Sequence, residues 1–290
     1  GETRGTPAGN LASDVIREML GARGQKYPSA VGLASVPYVL QPTLDTYLSD
    51  GDERAALDAL SGSSPRMTRV YAVDVILPVL RAARACGAEA LALAPDPVDV
   101  EVARRSGLQE LDMGRRERYV RDVAGFVTKA DGASKLFNEK VLMEGYVPPV
   151  VLPDGDASVA VSAGADSPGS YFAAKILQDE AVASALYAWT YPRPKSFVAV
   201  VQDAEDVVFG GGAARRFVRI WGGLAPEGGV TEDAVATILL DPTAKNTLSG
   251  SRMLRLNVGT PVSTRYQLKV SDYILFSSSP RVNLIPRLMR

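Results

Sequence analysis

Apolar residues recur along this chain with two alternating periods. Leu11, Val15, Met19 and Leu20 fall on one face of a helix that Asn10 is placed to cap. Ala30-Val31-Gly32-Leu33, after Pro28, is a short apolar run of the buried-strand type. Residues 37–48 carry Val39, Leu40, Leu44 and Leu48 at helical spacing, with Pro42 in the first turn or at a kink. A second helical stretch covers 68–86 and stops at Gly87, with Pro78 forcing a bend. Ala90 to Leu93 is the next strand. Asp96-Pro97 then opens a helix, as cap and first-turn proline, that runs to Ser106 and is stopped by Gly107.

From Leu108 to Gly169 the pattern loses regularity, with three prolines between Val147 and Asp156 and a Gly/Ser/Asp/Pro stretch at 162–170. Tyr171 to Trp189 restores a long helix presenting Phe172, Ile176 and Leu186, closed by Tyr191-Pro192-Arg193-Pro194. Phe197 to Val201 and Ala234 to Leu240 follow as strands, with short β candidates at Leu254–Val258 and Tyr273–Phe276. Strands separated by helices of this length predict an α/β fold with a largely parallel or mixed central sheet flanked by helices. We expect an α/β domain over 1–240 with an irregular insertion at about 108–169, then a C-terminal extension or docking tail over 241–290.

Composition narrows the chemistry. At 290 residues and 46% hydrophobic content the chain can bury a large core. With 32 basic and 33 acidic residues, its net charge of −1 supplies no field to attract nucleic acid or anionic lipid. Gly1-Glu2 reads as the start of a processed or partial product. The single cysteine, Cys86, excludes an internal disulfide and reads as a buried small residue rather than a reactive thiol. Histidine is absent altogether, which removes imidazole-based triads, di-histidine metal sites and histidine-ligated haem.

That absence matters because five ordered segments carry a family resemblance. Gly1-Glu2-Thr3-Arg4 opens the chain and Gly32-Leu33-Ala34 lies on the first strand. Gln41-Pro42-Thr43-Leu44-Asp45-Thr46-Tyr47-Leu48 follows, and Asp179-Glu180-Ala181-Val182-Ala183 lies on the later helix. Glu205-Asp206-Val207-Val208-Phe209-Gly210, then Gly211, Gly212 and Arg215, complete the set. Together they resemble the haem-uptake ChaN-like domains of the Tiki/erythromycin-esterase superfamily, plastid members included, over residues 1 to 220.

The family pattern has histidine where this chain has Arg4 and Asp206, and glutamate where it has Ala34. A guanidinium with a pKa above about 12 neither ligates a metal nor accepts a proton at neutral pH. The resemblance therefore implies a degenerate site at Glu2, Arg4, Ala34, Asp179, Glu180, Glu205 and Asp206, with no catalytic residue, no metal and no cofactor. It implies a pseudoenzyme, a structural subunit of a plastid (chloroplast) multiprotein complex. Its partners would be other proteins rather than nucleic acid, with any membrane reached only peripherally or through them. An arginine at position 4 facing Glu2 or Asp206 would form a fixed ion pair.

Other features compete with that reading. Glu2, Asp179, Glu180, Glu205 and Asp206 as oxygen ligands for a hard cation match no known loop. Gly210, Gly211, Gly212 and Arg215 are a candidate anion-binding set at a helix start. Tyr27, Tyr38, Tyr47 and Tyr171 are candidate phenolate ligands in the alternative function, a haem, tetrapyrrole or small-molecule binder without histidine. Arg115, Arg116, Arg118 and Arg121, interrupted by Glu117, read as a solvated or protein-docking face. In the tail, Tyr273, Phe276, Leu284, Ile285, Leu288 and Met289 are candidate partner-docking residues, because nothing local hides them.

Overall fold

The computed structural model describes residues 8–24, 26–64, 67–121, 168–225, 230–242 and 270–277. Strands β1 (Ser29–Pro37), β2 (Glu89–Ala94) and β3 (Phe197–Val201) form a parallel sheet in the order β2-β1-β3. Alternation along these strands divides the protein into three layers. Val31, Leu33, Ala90, Ala92 and Val201 enter one core with helices α1 (Ala8–Arg23), α2 (Gln41–Asp50), α3 (Glu53–Leu60), α4 (Arg69–Tyr71) and α5 (Leu77–Ala85). On the opposite face Ala30, Leu91 and Leu93 pack with Val182, Leu186 and Trp189 of a long helix and Ala213 of a later one. Helices α6 (Pro97–Ser106) and α7 (Met113–Tyr119) lie beside that long helix, α8 (Pro168–Thr190), around Ala103, Leu111, Tyr119, Leu177 and Ala181. Burying a leucine such as Leu91 or Leu93 contributes about 1.5–3 kcal/mol. Two-sided burial therefore anchors the sheet between the helical layers.

Helix boundaries follow local chemistry. Pro42 sits in the first turn of α2, and Gly51 closes it in the left-handed region at φ 77°. Asp52 caps α3 by accepting from the Ala55 amide at 3.0 Å. Pro97 opens α6 as its spacing predicts, but the Asp96 carboxylate accepts from the Val39 amide instead of capping its own helix. Pro78 sits in the first turn of α5, and its segment reaches it through a π turn at Ala72–Ile76. There α1 crosses closely: a Cβ on Gly9 would lie 1.9 Å from the Asp74 carbonyl oxygen, and the Ser13 hydroxyl donates to Pro78 O at 3.0 Å.

Several expectations need correction. Asn10 lies exposed inside α1 rather than capping it, because the helix begins at Ala8. The face of α1 that enters the core runs through Ala12, Ser13, Ile16 and Leu20, with Leu11, Val15 and Met19 on its flanks. Cys86 is half-buried, since it terminates α5 at the rim of the core. The strand expected over 234–240 shortens to β4 (Ile238–Leu240), preceded by a 3-10 turn at Glu232–Ala234. Strand β4 pairs in parallel with β5 (Tyr273–Leu275), so the line drawn at residue 240 passes between two hydrogen-bonded strands. Val270 is buried with Ala204, Val208 and Leu239, which ties residues 270–277 to the main domain. The strand expected at 254–258 lies outside the described residues.

Candidate functional site

The Asp-Glu pair on α8 meets the segment that leaves β3 at its carboxyl end. Beyond Val201 the chain turns through a 3-10 turn at Ala204–Asp206 and the glycines 210–212 into α9 (Gly212–Leu224). Gly212 has φ 61°, and a Cβ there would lie 2.2 Å from the Asp206 carbonyl oxygen and 3.5 Å from Asp179 Oδ1. A side chain is thus excluded on both conformational and steric grounds. The tight approach seats the Asp179 carboxyl against the start of α9.

Each neighbouring carboxylate has been given a cation of the chain's own. Glu180, fully buried, accepts from Arg216 Nη1 at 2.8 Å and from Arg219 Nη2. Arg216 and Arg219 stand three apart on α9, so one helix face delivers both guanidinium groups. Asp206, 6% exposed, pairs with the Lys175 ammonium from α8. Lys175 precedes Asp179 by one helical turn and lies on the same face.

Asp179 is different. It is 4% exposed, and among the described residues no hydrogen bond or salt bridge holds it. Burial, and next the Asp206 carboxylate, push its carboxyl up to about 7; Lys175 and Arg216 oppose them, while Glu180 adds to the rise. Around neutrality this group sheds charge by holding a proton.

The structure therefore joins Asp179, Glu180 and Asp206, and leaves Glu205 exposed on the outer side of its turn. Ala34 lies against the cluster that includes Val182 and Ala213, with no polar atom to offer. Glu2 and Arg4 lie outside the described residues, and with them the ion pair expected at Arg4. Gly210 is exposed, Gly211 and Gly212 are buried, and Arg215 is half-buried on the first turn of α9. The start of that helix faces a protein carboxyl. Among the described residues no group of three or more Cys, Asp or Glu is placed to hold a metal ion.

Sequence reasoning missed Lys175 and Arg219. Their signal was present in helical spacing, four residues before Asp179 and three after Arg216, but it needed the knowledge that α8 and α9 are neighbours.

Two of the candidate tyrosines, Tyr38 and Tyr47, have structural work. Tyr38 stacks on Tyr119 with ring centroids 5.7 Å apart, and its hydroxyl donates to Ala181 O at 2.7 Å. Burial, then the neighbouring Tyr119, push the Tyr38 phenol well above its ordinary value. Tyr119 donates to Asp99 Oδ2 at 2.6 Å and accepts from the Asp96 amide. Tyr47 is buried among the residues that line α2. Arg115 and Arg118 pair with Asp99 and Asp96, so this part of the basic helix is spent on intramolecular contacts.

The Gln-Pro segment also has a local explanation. Gln41 Nε2 donates to Ala90 O at 2.7 Å, and Gln41 Oε1 accepts from Ala92 N at 2.8 Å. Among the described residues strand β2 is the edge of the sheet, and this side chain bonds its outer carbonyl and amide where a neighbouring strand would. In the tail, Tyr273 is exposed and Leu275 and Phe276 are at the margin of exposure, while Leu284, Ile285, Leu288 and Met289 lie outside the described residues.

Comparison with family models, curated proteins and solved structures finds no match to this chain.

Proposed function

We propose that this chain is a ChaN-like domain without catalytic activity, retained as an interaction subunit of a plastid multiprotein assembly. One observation supports the first half above all. Two of the acidic side chains that the resemblance assigns to the site are neutralised from within, Glu180 by Arg216 and Arg219 and Asp206 by Lys175, and burial beside Asp206 keeps the third, Asp179, protonated near neutrality. A metal ion would have to displace buried cations, and leaving a charge buried without its partner costs about 3–5 kcal/mol. Alanine at position 34 and the lack of histidine remove the other expected ligands. The interaction half rests on the resemblance and on apolar side chains left at the surface of β5.

The test combines loading with native recovery. The purified chain, incubated with manganese, ferrous iron or zinc and desalted, should retain no stoichiometric metal by elemental analysis. Titration with ferric haem should leave the Soret band where free haem places it. Tagged in its native extract, the chain should recover the same subunits at fixed stoichiometry, and deleting Ser279–Arg290 should release them without changing the domain's melting temperature. Stoichiometric metal or a Soret shift overturns the inactive-site reading. A chain that runs alone in the native extract overturns the interaction reading.

A further inference from the structure

At the amino end of the sheet, opposite the carboxylate cluster, two short segments with no acidic residue meet. Residues 23–28 read Arg-Gly-Gln-Lys-Tyr-Pro and residues 191–196 read Tyr-Pro-Arg-Pro-Lys-Ser. The Phe197 amide donates to Pro28 O at 3.0 Å, and Arg23 Nη2 donates to the Lys195 carbonyl, which fastens one segment to the other.

Three cations gather around one ring. Arg23 Cζ, Lys26 Nζ and Lys195 Nζ lie 5.3, 5.4 and 5.8 Å from the centre of the Tyr27 ring. All three residues are exposed, and among the described residues none forms a salt bridge. Arg193, in the same turn, places its guanidinium 4.8 Å from the Trp189 ring centre. The Glu89 carboxylate, at the same end of β2, accepts from the Trp189 indole instead.

Elsewhere among the described residues Arg81, Arg115 and Arg216 are matched with carboxylates, and the net charge of the chain is −1. A local excess of positive charge therefore stands against a balanced background. Its backbone is also held in an unfavourable form, because Lys195 has φ 65° with a full side chain.

We propose that this end of the sheet docks on an anionic lipid bilayer, with Arg23, Lys26 and Lys195 on the headgroups and Tyr27 at the interface. The inference stands apart from the inactive-site reading. A bilayer is favoured over a small anion because the cations are spread around an aromatic platform on an exposed surface rather than converging within a cavity. Lysine and arginine near an anionic membrane attract it additively, and tyrosine is enriched at the membrane–water boundary.

The experiment uses the full chain with vesicles of phosphatidylcholine alone or mixed with phosphatidylglycerol, read by co-sedimentation. Binding should require phosphatidylglycerol and fall steeply with added salt. The R23Q/K26Q/K195Q variant should bind roughly a hundredfold more weakly. The K195G variant suits the left-handed backbone, so it should keep or raise the melting temperature while still losing roughly fivefold in binding. Failure to bind phosphatidylglycerol vesicles overturns the proposal, as does a triple variant that binds like the parent. Displacement from vesicles by millimolar inorganic phosphate, but not by sodium chloride of equal ionic strength, assigns the patch to a small anion and overturns it too. Retention on an acidic polypeptide resin without vesicle binding assigns it to a protein and does the same.

Discussion

Replacing Asp179 by asparagine removes a charge that the fold resists while keeping the shape of the side chain. Three effects favour the ionised form: the adjacent start of α9, the Lys175 ammonium and the Arg216 guanidinium. A helix N-terminus contributes about 0.3–1 kcal/mol, rising to ~2 kcal/mol in partly buried settings. Burial costs several kcal/mol per ion and the Asp206 carboxylate adds repulsion, so the neutral form wins. With the carboxyl raised from 3.8 to about 7, the ionised group costs the folded state at most about 4 kcal/mol.

The sign follows from proton counting. Between those two values the folded protein holds a proton that the unfolded chain has released, so stability falls as pH rises and levels off above about 7. Urea unfolding of parent and D179N across pH 4 to 8 isolates this contribution, because groups away from the site titrate alike in both proteins. Their difference should be small near pH 4 and widen with pH, to an advantage of about 2–4 kcal/mol for the variant near pH 8. A difference that stays constant, or that widens toward acid, would show that Asp179 is ionised and held by its cations, refuting the argument.

Two further substitutions examine neighbouring contacts. E180A leaves Arg216 and Arg219 without their buried carboxylate and should destabilise by about 3–5 kcal/mol in urea titration, whereas E180Q, which still accepts, should lose less. Q41A uncovers the Ala90 carbonyl and the Ala92 amide on the edge strand; a loss of about 2–3 kcal/mol, with faster amide exchange at Ala92, is the expected result.

Local signals in the sequence carried most of the element plan. The Asp96-Pro97 start and Gly107 stop of α6, the strand runs after Pro28 and before Asp96, and the long helix ending at Tyr191-Pro192 all depend on nearby residues. Backbone preferences and side-chain periods act over one or two turns, so they are legible without the fold. The parallel sheet followed from the spacing of strands and helices for the same reason.

Tertiary structure alone decided which polar groups meet. Gln41 reaches Ala90 and Ala92 across about fifty positions, and Glu180 is matched by arginines 36 and 39 residues away. Arg23 and Lys195 meet across 172 positions, which makes a basic surface on a chain whose summed charge is near zero. Composition counts charges but cannot place them. The ring of Tyr27, the turn at Gly212 and the contact of α8 with α9 determine which charges are paired, which are buried and which are left to face outward.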